Sequence, residues 1–188
     1  MPPLDPVTVW DPLVRLNHWV LGAATLTALV TADAATEIHV LAGHLVAGLV
    51  LFRLAWGVLG TPHARFSDFV RPPQEILASL AAILRGQPPH HLGHNPAGGA
   101  MILALLATLL LTTGTGVALW GEREGAGVWA TLSLSPRGSA WLEHAHEWLG
   151  STLWILIGLH LTGVALGSVQ HQENLAWSMI TGLKRRRS

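Results

Sequence analysis

His146-Glu-Trp-Leu-Gly-Ser-Thr-Leu-Trp-Ile-Leu-Ile-Gly-Leu-His160 is the stretch on which the fold turns. It is an apolar run between two histidines, and the apolar character continues to about residue 168. A hydrocarbon core about 30 Å thick is crossed by about 20 helical residues, so the run reads as a membrane-spanning helix. Fourteen residues separate the histidines, close to four helical turns. Both imidazoles therefore leave one helix face, about 21 Å apart along the axis. Ionisable side chains inside a span are costly and mark functional positions.

Working outward, three further segments have the same character, at 15–35, 39–59 and 98–120, with the fourth at 146–168. The expected fold is an all-α membrane protein, a four-transmembrane-helix bundle forming a single domain over residues 1–188. Composition agrees: half the residues are apolar and 12% are charged, against about 25% in soluble domains. The absence of Cys excludes disulfides, thiolate metal sites and covalent c-type haem attachment. Zero formal charge argues against a nucleic-acid binder. Eleven His and nine Trp stand beside no Tyr; Trp is a residue of membrane interfaces, and so many His in an apolar chain call for a function. The first span follows Pro12 without a leader-type cleavage pattern and is read as retained. The proline-rich link between spans two and three holds an amphipathic stretch, Gln74–Leu84, expected to lie at the interface. Gly121–Ala145 reads as a Gly-, Ser- and Trp-rich link with room for a short helix.

Orientation follows from Lys and Arg. With four spans, one side carries Arg15, Arg53, Arg65, Arg71, Arg85, Lys184, Arg185, Arg186 and Arg187. The other carries only Arg123 and Arg137, against Asp33, Glu37, Glu122, Glu124, Glu143 and Glu147. Both termini are therefore expected in the cytoplasm.

Depth pairs the histidines. His18, near the inner start of span one, matches His160; His39, at the outer start of span two, matches His146. Two haems stacked across the membrane, each with an imidazole above and below the iron, suit this spacing. Filled axial positions favour electron transfer over oxygen chemistry, and four-helix bundles commonly hold such cofactors. His44 is turned about 140° from His39, and His144 lies nearly opposite His160 on its helix, so both rank below these four. His63, His90, His91, His94 and His171 fall in loops. Gly43, one turn past His39, together with Gly150 and Gly163, would let a haem plane approach the backbone. Arg15 and Arg53 are candidate donors to haem propionates.

These residues resemble the prokaryotic cytochrome b561 family and the related b-type cytochrome subunits of nickel–iron hydrogenases. The resemblance runs through Arg15-Leu-Asn-His18-Trp19, Ile38-His39 with Gly43, Arg53-Leu and Trp56-Gly57. It continues through Leu92-Gly-His-Asn-Pro96, His146-Glu147, Gly158-Leu-His160, Glu173-Asn-Leu175 and Met179-Ile-Thr-Gly182. It implies a four-helix fold, two non-covalent b haems on the same four ligands, and a quinone as one redox partner.

The function expected is a dihaem cytochrome b carrying electrons between ubiquinone or menaquinone and a redox partner, as a monomer or homodimer. That partner is a c-type cytochrome or a dehydrogenase or hydrogenase subunit. A superoxide:quinone oxidoreductase would need a positive outer funnel, and the outer side is acidic. A His-based metal transporter would place acids along a central path, and the mid-span stretches hold none. Quinone could meet the chain at His94 and Asn95, or at Glu143, His144 and Glu147. Asn95-Pro96 also reads as a plain helix start.

Overall fold

Three of the long helices begin with the same two-residue device, a short polar side chain followed by proline. Pro fits the first helical position because the N–H it lacks would have no partner there, and the preceding polar oxygen caps a free N–H two or three residues on. Asp11 Oδ1 accepts from Val14 N at 2.9 Å, Asn95 Oδ1 from Gly98 N at 2.6 Å, and Ser135 Oγ from Gly138 N at 3.2 Å.

The computed structural model describes residues 6–33, 36–131 and 133–185. In chain order it has β1 (Pro6–Thr8), α1 (Pro12–Val30), α2 (Thr36–Leu59), α3 (Phe66–Phe69), α4 (Pro73–Leu84), α5 (Pro96–Glu124), α6 (Pro136–His171), α7 (Leu175–Thr181) and β2 (Leu183–Arg185). Single 3-10 turns stand at Pro62–Ala64 and Gly127–Trp129. α1, α2, α5 and α6 are long and apolar enough to cross a membrane. α4 coincides with the expected interfacial helix, with Leu77, Leu80 and Leu84 exposed.

The helix ends differ from the sequence expectation. α1 stops at Val30, and residues 34 and 35 lie outside the described part. α5 and α6 run to 29 and 36 residues. At 1.5 Å per residue, α6 extends about 54 Å, well beyond the hydrocarbon thickness. Its first turns, with Arg137, Glu143 and His144, carry too much polarity for a hydropathy reading to include them. Only 6% of its most apolar window is buried inside the chain. Its Trp154, Ile155, Leu159, Leu161 and Leu166 are exposed, as expected where the solvent is lipid. Thr27, Thr112, Thr115, Thr152 and Thr162 return their hydroxyls to the carbonyl four residues earlier, so these five hydroxyl protons are not left bare in lipid.

Two compact units divide these helices. The first gathers the N-terminal residues through Asn17, Arg53–Ala104 and the residues from Ile157 on; the second gathers His18–Phe52 and Leu105–Leu156. The second unit centres on buried Ala24, Ala42, Val46, Val50, Leu106, Leu109 and Leu153. In the first, β1 and β2 pair antiparallel with Val7 opposite Lys184. Val9 N and Trp10 N both donate to Gly182 O at 2.8 and 3.1 Å. Gly182 ends α7 at a φ of 82°, and a Cβ there would stand 2.7 Å from Trp10 O, so only glycine closes this clasp.

Asp11 does more than cap α1. Its Oδ2 accepts from Thr61 Oγ1 at 2.7 Å and Trp56 Nε1 at 3.2 Å, tying α1 to the end of α2. Partial burial alone would raise its pKa, but the hydrogen bonds from Thr61, Val14, Trp56 and Leu13 outweigh it and hold the carboxyl below the usual value. A depressed folded-state pKa adds stability above the unfolded pKa that disappears as pH falls through the folded one. Asp11→Ala should therefore cost about 2 kcal/mol at neutral pH through the lost cap and two stranded donors. The gap from wild type should close on acidification below about pH 4, and thermal melts across pH check both parts.

Candidate functional site

In the second unit, α2 and α6 bring the rings of His39 and His146 close together, with centroids 5.9 Å apart and planes at 89°. The Nδ1 of each ring is tied to a backbone carbonyl. His39 Nδ1 lies 2.8 Å from Ala28 O, and His146 Nδ1 lies 3.0 Å from Thr112 O and 3.1 Å from Thr115 Oγ1. A carbonyl only accepts, so the proton sits on Nδ1 and the lone pair on Nε2 in both rings. That is the tautomer and the support that metal-binding imidazoles need. On α5, a Cβ at Gly116 would stand 2.8 Å from His146 Cε1, so the ring occupies the space of the missing side chain.

The competing histidines stand apart. His44 is exposed, its Nδ1 2.8 Å from Val40 O and its ring edge-on to Trp120 at 5.0 Å. His144 is exposed on α6, with Glu147 3.5 Å away. His18 lies in the second unit, half-buried and edge-on to Trp19 at 5.2 Å, and His160 lies half-buried on α6 in the first. Beside Gly43, Gly150 and Gly163, a Cβ would meet nothing within 4 Å.

Both arginines are partly engaged within the first unit. Arg15 Nη1 donates to Ile180 O at the end of α7. Arg53, 8% exposed, donates from Nη2 to Ala64 O at 3.1 Å and lies 5.3 Å over the Phe66 ring. Arg15 Nε and Arg53 Nη1 remain buried without an acceptor, and Asn17, 4% exposed, has neither an acceptor for its Nδ2 nor a donor for its Oδ1. Asn17 is a polar position that the sequence reading passed over; its place beside His18 in a span was the available signal.

The loop before α5 forms a second polar centre in the first unit. The His94 ring lies between Trp10 and Phe69, at 4.5 and 5.1 Å. Asn95 spends its Oδ1 on the cap of α5, so the helix-start reading of Asn95-Pro96 holds. His63 Nδ1 pairs with Asp68 Oδ2 at 3.1 Å, close against the Gly93 backbone. Lys184 Nζ donates to His91 O at 3.3 Å. Burial, with His90, Lys184 and Arg71 nearby, pushes the His91 pKa down.

The family model for prokaryotic cytochrome b561 matches residues 9–182, which include all four spans. The chain belongs to the prokaryotic cytochrome b561 family. It is accordingly a b-type cytochrome of the membrane, and its work is electron transfer across it. A "probable Ni/Fe-hydrogenase B-type cytochrome subunit" of Bradyrhizobium diazoefficiens is 24% identical, over 94% of this chain and 85% of that protein. One of the same description from Rhizobium leguminosarum bv. viciae is 26% identical, over 94% of this chain and 87% of its own length. No solved structure matches the chain.

The residues of this b561 cytochrome fit haem b. A metal–imidazole bond is about 2 Å, so two rings sharing one metal ion from opposite sides have centroids about 6 Å apart; His39 and His146 stand at 5.9 Å. Among the described residues, no group of three or more His, Cys, Asp or Glu could hold a bare metal ion. Two imidazoles alone suit a metal whose remaining ligands come from a macrocycle.

Proposed function

We propose that the chain is a dihaem b-type cytochrome of the bacterial inner membrane, carrying electrons between the quinone pool and an oxidoreductase partner. His39 with His146, and His18 with His160, would hold the two haems. The observation that carries this reading is the His39–His146 pair, held at ligand spacing with both Nε2 lone pairs free of the backbone. Bound there, haem b would supply a one-electron iron couple. The chain's own part is to fix the imidazole tautomers through Ala28 O and Thr112 O. The unspent donors Arg15 Nε and Arg53 Nη1 would meet propionate oxygens.

Both termini are placed in the cytoplasm by the Lys and Arg count, of which Arg186 and Arg187 lie outside the described residues. The relatives' names favour a hydrogenase-type subunit as the partner over a soluble c-type cytochrome. The acidic outer segments disfavour superoxide as a substrate, and two-histidine geometry disfavours a metal transporter. Quinone would bind near His94, whose ring packs against Trp10 and Phe69 and would offer a polar contact to a quinone carbonyl.

Haem content and quinol-driven reduction of the purified protein test the proposal. The pyridine haemochrome assay should give two haems per chain, and added quinol should reduce them in wild type but several-fold more slowly in His94→Ala. A ratio near one removes one ligand pair, and a protein without a Soret band ends the reading. Normal reduction in His94→Ala with slow reduction in Glu143→Ala would move the quinone site to the outer side.

A further inference from the structure

The tail motif Glu173-Asn-Leu175 is not used by the haem or quinone reading. Just past α6 the chain turns at Gln172, which has a φ of 49°, a left-handed conformation that residues with a Cβ rarely adopt. Such strain costs about 1–3 kcal/mol and persists where the surroundings require it. The turn opens two adjoining hollows of about 270 and 370 Å³, which share Gln172, Glu173 and Asn174. The smaller one is also lined by Trp177 and Lys184.

The chemistry of this crevice is mixed in a specific way. Lys184 is 7% exposed and its Nζ donates to His91 O at 3.3 Å, so its ammonium is a fixed, largely desolvated charge on the crevice wall with further N–H groups to donate. Burial lowers its pKa, and the carboxylate of Glu173 acts in the other direction. An acid and a buried base thus line one cavity. Beside them, Trp177, Ile180 and Leu183 are 58%, 50% and 40% exposed, so an apolar rim adjoins the charged hollow. The crevice lies just beyond the end of a membrane-spanning helix, where headgroups meet the protein.

We propose that this crevice is a binding site for the headgroup of a zwitterionic phospholipid carrying a primary ammonium and a phosphate. Glu173 and the Trp177 indole face take the ammonium, Lys184 faces the phosphate, and the acyl chains run along Trp177 and Ile180. A net-anionic headgroup would set a phosphate against Glu173 without an ammonium to offset it. A soluble ligand would leave the apolar rim in water. The smaller hollow, about 270 Å³, is of a size to take a headgroup such as phosphoethanolamine.

Native mass spectrometry of the haem-loaded protein in mild detergent, with equimolar POPE and POPG added, tests the site. POPE adducts should outnumber POPG adducts about tenfold. Glu173→Gln should bring the two near parity, and Trp177→Leu should lower POPE retention several-fold, both with unchanged haem spectra. Lys184 is left intact because its burial ties it to the β1–β2 clasp. Equal retention of POPE and POPG in the wild type, or an unchanged preference in Glu173→Gln, overturns the proposal. Glycerophosphoethanolamine, which has the headgroup without acyl chains, should not displace POPE at equal concentration; if it does, the site is one for soluble phosphoamines and the lipid assignment falls.

Discussion

His146→Ala should leave the protein with one haem instead of two, while His144→Ala should keep both. The two residues sit two positions apart on α6 and are equally able to bind iron as free imidazoles, so the difference must come from placement. The His146 ring lies 5.9 Å from that of His39 and is fixed through Nδ1 by Thr112 O and Thr115 Oγ1. His144 is exposed, with only Glu147 3.5 Å from its ring. Truncating His146 also leaves His39 Nε2 facing a gap, and one imidazole does not replace two. Haem per chain should fall from about two to about one, and the surviving haem should keep its spectrum. His39→Ala should match His146→Ala, since both belong to one site. If His144→Ala loses haem while His146→Ala retains it, the start of α6 is turned relative to the structure and the outer ligand is His144.

The spans were legible because length and apolarity alone decide them in a bilayer. The start of α6 was not, because helix beyond the hydrocarbon has no hydropathy signature. Residues 136–145 include Arg137, Glu143 and His144, which read as a loop when apolarity is the criterion. The signal that could have found it was local: Ser135-Pro136 repeats the pattern of Asp11-Pro12 and Asn95-Pro96, the last of which was recognised as a helix start. The depth argument for His39 and His146 needed only rise per residue, so it could be made from sequence. Thr112, Thr115 and Gly116 could not be found that way. Periodicity tells which residues share a face of one helix, and says nothing of which neighbouring helix that face meets. Arg15 illustrates the same limit from the other side. It could be named from the sequence as a candidate propionate donor, but that its Nη1 goes to Ile180 O, 165 residues away in the chain, could not be read there.

The second large effect is expected at Gly116, where no charge or ligand is altered. Alanine in place of glycine in a helix interior ordinarily stabilises by about 0.5–1 kcal/mol, so α5 taken alone should gain. Its Cβ would, however, stand 2.8 Å from His146 Cε1 and 3.3 Å from His146 Nδ1. The ring cannot simply swing away, because Nδ1 is held from the same helix by Thr112 and Thr115. Either those bonds break or the imidazole tilts, and overpacking of this kind costs about 1–3 kcal/mol. Gly116→Ala should therefore shift the spectrum of one haem and lower its occupancy. Gly116→Leu, which fills the space outright, should lose that haem as completely as His146→Ala does. Gly114 supplies the comparison: it lies two residues earlier on α5 and a Cβ there meets nothing within 4 Å, so Gly114→Ala should keep both haems and melt no lower than wild type. Haem content and reduced-minus-oxidised spectra of the three variants decide the matter. If Gly116→Leu still binds two haems with unaltered bands, the His146 ring does not rest against α5, and the ligand geometry argued from it is wrong.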